Sequence, residues 1–353
     1  MNNEVDKNSK LNSLQGLRLL AFLLIYLNHS FWLLGIGKIF DFGARGVEIF
    51  FVLSGFLVAY NYGDRVFDCS WKNCTLYAYN KLKKFYILHF ITFLLFLYYP
   101  TKEYIRGELS STKIHTLIID CVLNITLLKS WYFPSAFSLN GVTWFLSTIL
   151  FAYFLVPKIV MYLRQRDNSL YVLLFCILIS LKMILDTYGY KFPHNFHVFS
   201  LYTNPLYRLQ DFVLGYVFFM AVKRSLNEPQ YNMHKIAQFI IPLMYVVSCF
   251  LFDKNWVPAP FILLTCLLVY LLSFPNNIYE NILGNKILVI LGNVSFEMFI
   301  LHNLMIKYTD KIWRIMGMEP KGVVFWVVSL IITVSVSWIV HNKPWKRINR
   351  EFV

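Results

Sequence analysis

Apolar residues in this chain come in runs of about 17–22 separated by short polar stretches, a spacing set by the width of a bilayer rather than by a soluble core. The runs cover 14–34, 46–62, 84–100, 142–162, 168–187, 203–222, 236–252, 257–274, 286–307 and 322–341. A further apolar piece, 114–129, is ambiguous, and loop charge decides its placement. Arg65, Lys72, Lys81, Lys83 and Lys84 follow the second run, and Arg164 and Arg166 follow the fourth. Lys223, Arg224 and Lys235 follow the sixth, and Lys343, Lys346, Arg347 and Arg350 the last, while Lys7 and Lys10 precede the first. Short basic loops stay in the cytoplasm. If 114–129 crossed, Arg164 and Arg166 would fall outside, so it reads as a re-entrant or surface helix. The pattern predicts an all-α polytopic membrane helix bundle of about ten transmembrane helices with both termini cytoplasmic. The outer loop carrying Lys307, Lys311, Arg314 and Lys321 fits that rule least well.

Composition agrees. The chain has 353 residues, 58% hydrophobic and 15% charged, with a mean hydropathy of +0.53. Its net charge of +14 would suggest nucleic acid in a soluble protein. Here the basic residues flank apolar runs, which points to topology and membrane lipid and to no nucleic-acid partner. Cys121, Cys176, Cys249 and Cys266 lie in apolar segments, and Cys69 and Cys74 share a loop at a spacing that fits no common zinc pattern. All six read as unpaired, and no metal site is expected. The first run lacks a small-residue cleavage site and is expected to be retained. No repeat or long linker appears, so 1–353 reads as one transmembrane domain, a core at 12–345 behind a polar tail at 1–11.

Candidate chemistry begins in the first run. Arg18 and His29 are separated by 11 residues, which returns to within about 20° of one helix face and rises about 16 Å. Ionisable groups inside spans are functional candidates. A snorkelling Arg18 or a satisfied core His29 explains each alone, but the shared face favours a site. Glu48 should lie near the outer end of the second run, level with His29, where a carboxylate could orient an imidazole general base. Ser54 and Gly55 allow close helix approach. Lys81, Lys83 and Lys84 are cations near the depth of Arg18, suited to an anionic cofactor's phosphates or to plain topology. Trp144 marks an outer interface, with Ser147 one turn below and Tyr153 deeper. Arg208, Phe212 and Gly215 share a face, and Asp211 lies one turn from Arg208. Ser295 and His302, seven residues apart, share another face. His302 thereby joins His29 and Arg208 in the outer half. A transferase joining a cytoplasmic donor to an external acceptor and a transporter with a proton relay would both use this arrangement.

Taken together, LQGLRLLAFLLIYLNH, GARGVEIFFVLSGFL, TWFLSTILFAYFLVP, LYRLQDFVLGY and LGNVSFEMFILH resemble the motifs of the acyltransferase-3 family of integral membrane acyltransferases. The resemblance implies transfer of an acyl group, usually acetyl from cytoplasmic acetyl-CoA, to hydroxyls of a surface glycan or lipid-linked glycan outside the bacterial inner membrane. It implies no permanently bound cofactor, His29 as the essential histidine and Arg18 as a donor-holding residue. On this footing His29 and Glu48 would be catalytic, Arg18, Lys83 and Lys84 would hold the donor, and Trp144, Ser147, Arg208 and His302 would position substrate or stabilise charge. Glu48 stands where the family commonly has Asp, and Lys83 and Lys84 where it often has Arg, keeping charge but losing the bidentate fork. Ile149 stands where many members carry Glu. Some members append an esterase-like domain; this chain lacks the length for one and is expected to transfer directly.

Overall fold

In the computed structural model, residues 11–34, 42–191, 201–223, 233–251, 259–274 and 277–342 are described, without the side chains of 189–191, 233–235 and 251. Lys7, Lys10, Arg224, Lys343, Lys346, Arg347 and Arg350 lie outside them, as does the side chain of Lys235. The helices are α1 (Asn12–Ser30), α2 (Gly43–Tyr62), α3 (Trp71–Leu82), α4 (Tyr86–Ile105), α5 (Ser111–Ile125), α6 (Phe133–Ala136) and α7 (Trp144–Leu163). They continue as α8 (Asn168–Lys191), α9 (Pro205–Val222), α10 (Met233–Leu251), α11 (Ala259–Leu272), α12 (Glu280–Leu283), α13 (Lys286–Ile315) and α14 (Val323–His341). No strand occurs among the described residues.

Six of these helices are long and apolar enough to cross a membrane, or seven if the α3–α4 pair, bent by 61°, is one span. The protein is therefore an all-helical, multi-pass membrane protein. The expected ten is a larger number than this. α10 and α11 carry only shorter apolar stretches, Ile236–Phe250 and Ala259–Leu272. α5, at 15 residues, rises about 22 Å, less than a hydrocarbon core of about 30 Å. α13 runs eight residues past the expected end at Lys307, to Ile315.

Four helices form the centre: α1 packs on α2 and α13, and α2 on α9. Glycines make these contacts possible. A Cβ on Gly55 would collide with the Phe212 carbonyl, and one on Gly215 with that of Val52. Lipid gives no hydrophobic drive between helices, so such backbone-to-backbone approach supplies the packing. Gly292 on Gln15 joins α13 to α1 in the same way. Register follows from these contacts. Gly43 faces Asn28 and Gly46 faces Ala21 and Ile25, so α2 runs antiparallel to α1. The pairing of Gly292 with Gln15 and of His302 with Phe22, Tyr26 and His29 makes α13 parallel to α1. Arg18 and His29 thus mark a basic end and a histidine end of one core.

Candidate functional site

At the histidine end, the rings of His29 and His302 stand 5.1 Å apart, tilted by 51°. His29 is exposed at the end of α1, whereas His302 is fully buried on α13. Phe22, Tyr26 and Phe299 surround His302 with centroids at 6.0, 6.3 and 6.0 Å. The Nδ1 of His302 lies 2.7 Å from the Phe299 carbonyl oxygen. A carbonyl only accepts, so Nδ1 carries the proton. The seat of His29 is braced by α14: the indole of Trp326 donates to Ser30 Oγ at 2.8 Å, and Gly322 N to the Leu33 carbonyl at 2.6 Å.

At the basic end, Arg18, Lys81, Lys83 and Lys84 line one cavity of about 550 Å³, with Ser54, Tyr153, Ser295 and Glu297 also on its wall. The expected donor-holding residues are brought together, and Lys81 belongs with them. The α3–α4 bend falls at Lys83–Phe85, and Phe85 packs on Phe296 of α13 at 5.5 Å, which sets the lysines along the cavity wall. Glu297, on a different face from His302, is held by His341 at 2.9 Å. Phe50 and Phe145 line this cavity, and both rings meet Phe299, at 6.1 and 5.3 Å. Phe299 therefore stands between the cavity wall and His302.

Glu48 does not meet His29 as expected. Gly43 is level with Asn28, so Glu48 lies about 7.5 Å deeper along the antiparallel α2. Its carboxylate accepts two hydrogen bonds from Arg45 Nη1, at 2.8 and 2.7 Å, and Arg45 in turn stacks 3.9 Å over Phe261. Arg208 and Trp144 are brought together, 5.8 Å from guanidinium carbon to ring, beside Tyr202. The expected Arg208–Asp211 pair is present at 2.8 Å, and Lys182 of α8 joins it at 2.8 Å on the other carboxylate oxygen. Tyr207 donates to Asp186 of the same helix. Phe51, Phe145 and Phe299 separate this cluster from His302. Ser147 accepts from Ser130 N at 3.3 Å and lines a separate apolar cavity of about 400 Å³, so it is not brought to the histidines.

Two buried lysines were missed. Lys182 and Asp186 interrupt an apolar run one turn apart, a signal that intramembrane charge is paired and meaningful. Lys129 is fully buried in the connection before α7, and its three N–H groups are shared among four acceptors, Asn124 Oδ1, the carbonyls of Ser138 and Asn140, and Thr143 Oγ1, at 2.7–3.3 Å. Asn140 continues this net to Thr92 on α4 and to the Ile300 carbonyl on α13. Burial pulls the Lys129 ammonium down to about 7, with Asp120 opposing.

The fold is thus a multi-pass helical bundle with a basic cavity at one end of a helix pair and two histidines at the other. The acyltransferase-3 family model, an acyltransferase domain, matches residues 11–342. The chain belongs to that family of membrane acyltransferases. No curated protein and no solved structure matches it.

Proposed function

We propose that this protein is an O-acetyltransferase of the bacterial inner membrane, moving acetyl from cytoplasmic acetyl-CoA to hydroxyls of a cell-surface polysaccharide or its lipid-linked precursor. One observation carries this reading: α1 and α13 together supply Arg18 and Ser295 to the basic cavity and His29 and His302 to the opposite end. Phosphates of the donor suit Arg18, Lys81, Lys83 and Lys84, since charge-assisted hydrogen bonds to phosphate are the strong ones. The acetyl end would then extend past Phe299 toward the histidines. His29 takes the proton of the sugar hydroxyl as its oxygen attacks the thioester carbonyl. The C–S bond breaks, and the proton passes to the departing thiolate, giving the acetyl ester and free coenzyme A. Glu48, held by Arg45, would steady α2 rather than orient His29.

The buried Lys182–Asp211–Arg208 cluster is the feature that favours the second reading, a transporter or flippase for a polar or lipid-linked sugar, because such charges also line ion pathways. Base-labile acetate on the surface glycan of cells with and without the gene separates the two. Loss of acetate with unchanged export supports transfer; unchanged acetate with altered export supports transport.

A further inference from the structure

We propose that His302 is the positioning residue for His29, its Nε2 accepting the hydrogen bond that fixes which nitrogen of His29 is free to act as base. The proposal rests on the acyl-transfer reading above. A histidine base needs its second nitrogen anchored, because the tautomer present is set by the hydrogen bond the other nitrogen makes. Glu48 was the expected anchor, and it is turned to Arg45 at a different depth. His302 is turned to the task. Its Nδ1 proton is committed to the Phe299 carbonyl, so its Nε2 bears a lone pair and no proton in the neutral ring. That Nε2 is buried and has no hydrogen-bond partner among the described residues, an expensive state for a polar atom unless a partner comes to it.

The rings of Phe22, Tyr26 and Phe299 close other sides of His302. Tyr26 turns its hydroxyl toward Ser329 of α14, which leaves His29, at a centroid separation of 5.1 Å, as the facing titratable group among the described residues. Two imidazoles joined by one N–H···N bond have centroids about 5 Å apart, allowing a bond of ordinary length between them. The relay then runs from the Phe299 carbonyl through His302 to His29. One nitrogen of His29 donates to His302, and the other presents its lone pair on the exposed side. His302 keeps its own proton throughout and touches no reacting atom.

The test combines kinetics with a tautomer readout. In purified protein carrying ¹⁵N-histidine, wild type should show His302 protonated at Nδ1 alone and His29 in a single tautomer. His302→Phe, which keeps an aromatic ring but has no acceptor, should lower kcat by about 10–100-fold, as loss of an orienting partner does. The KM for acetyl-CoA should stay unchanged, and His29 should become a tautomer mixture. His302→Gln, whose amide oxygen can accept from His29, should recover most of kcat. A wild-type His302 protonated at Nε2 overturns the proposal without any variant being needed. So does an unchanged His29 tautomer in His302→Phe, or a Gln variant as slow as Phe. Retained transfer in His29→Ala overturns instead the base reading on which the proposal rests.

Discussion

Arg45 holds both carboxylate oxygens of Glu48, at 2.8 and 2.7 Å, from one turn earlier on α2. Glu48 is 1% exposed, so the pair sits almost dry, and breaking a buried ionic contact costs more than forming it gains. Glu48→Gln keeps an acceptor but removes the charge. It should lower thermal stability in detergent by about 1–3 kcal/mol, while transfer per folded molecule stays close to wild type. A variant that melts like wild type and loses kcat would instead make Glu48 part of the chemistry.

His29→Ala removes the proposed base without disturbing the centre of the bundle, since the ring is exposed. Transfer should fall by about 10²–10⁴-fold, with normal accumulation in the membrane. Acetate on surface glycan and turnover in isolated membranes report the two quantities separately.

Lys84 is exposed on the basic cavity and Arg18 is half-buried in it. Lys84→Gln should raise the KM for acetyl-CoA by about tenfold, the scale of one lost charge-assisted bond, and leave kcat alone. Arg18→Lys should raise KM as well, because the guanidinium fork is lost while the charge remains. Added salt should weaken donor binding in wild type more than in Lys84→Gln.

Lys129 gives a pH signature. Its folded-state value is drawn down to about 7, against about 10.4 for an unfolded lysine. Between those limits the unfolded chain binds more protons than the folded one, so stability contributed by this group rises as pH rises from about 7 to 10.4. Below about 7 both states are protonated and its contribution is flat. Thermal midpoints of wild type should climb relative to Lys129→Met across that window. Parallel curves would show that Lys129 keeps its proton in the net.

Gly215→Val places a branched side chain where the Val52 carbonyl already lies. The α2–α9 contact cannot shift locally, as both partners are backbone. The variant should fail to accumulate, whereas Gly317→Asn, at a turn with φ of +73° and open space around it, should accumulate normally.

Much of this was readable from the chain because a bilayer imposes its own period on sequence. The apolar runs matched α1, α2, α7, α8, α9 and α14 closely and the start of α13, and helix direction placed His29 and His302 at one depth. Arg208 and Asp211 were legible as a pair from spacing alone. Depth within a run was not legible where helix register decides it. Glu48 was placed level with His29, yet Gly43 against Asn28 carries it deeper. Lys83 and Lys84 were legible as cations near the depth of Arg18, but the 61° bend that sets them on the cavity wall was not. Lys129 lay at the end of an ambiguous segment, and its four acceptors come from residues that no helical period connects to it.

The glycine-tight centre has a consequence for how such a chain can diverge. In α2, 67% of the apolar stretch is buried, against 17% in α8 and 22% in α14. Along most of α8 and α14, lipid is the neighbour, and lipid accepts any apolar side chain. These helices can exchange Leu, Ile, Val and Phe freely over generations while keeping their fold. At Gly55 and Gly215 no such exchange is open, because the neighbour is a carbonyl group. Divergent copies should therefore keep a nearly fixed inner frame inside an outer shell whose identity has drifted almost to composition alone.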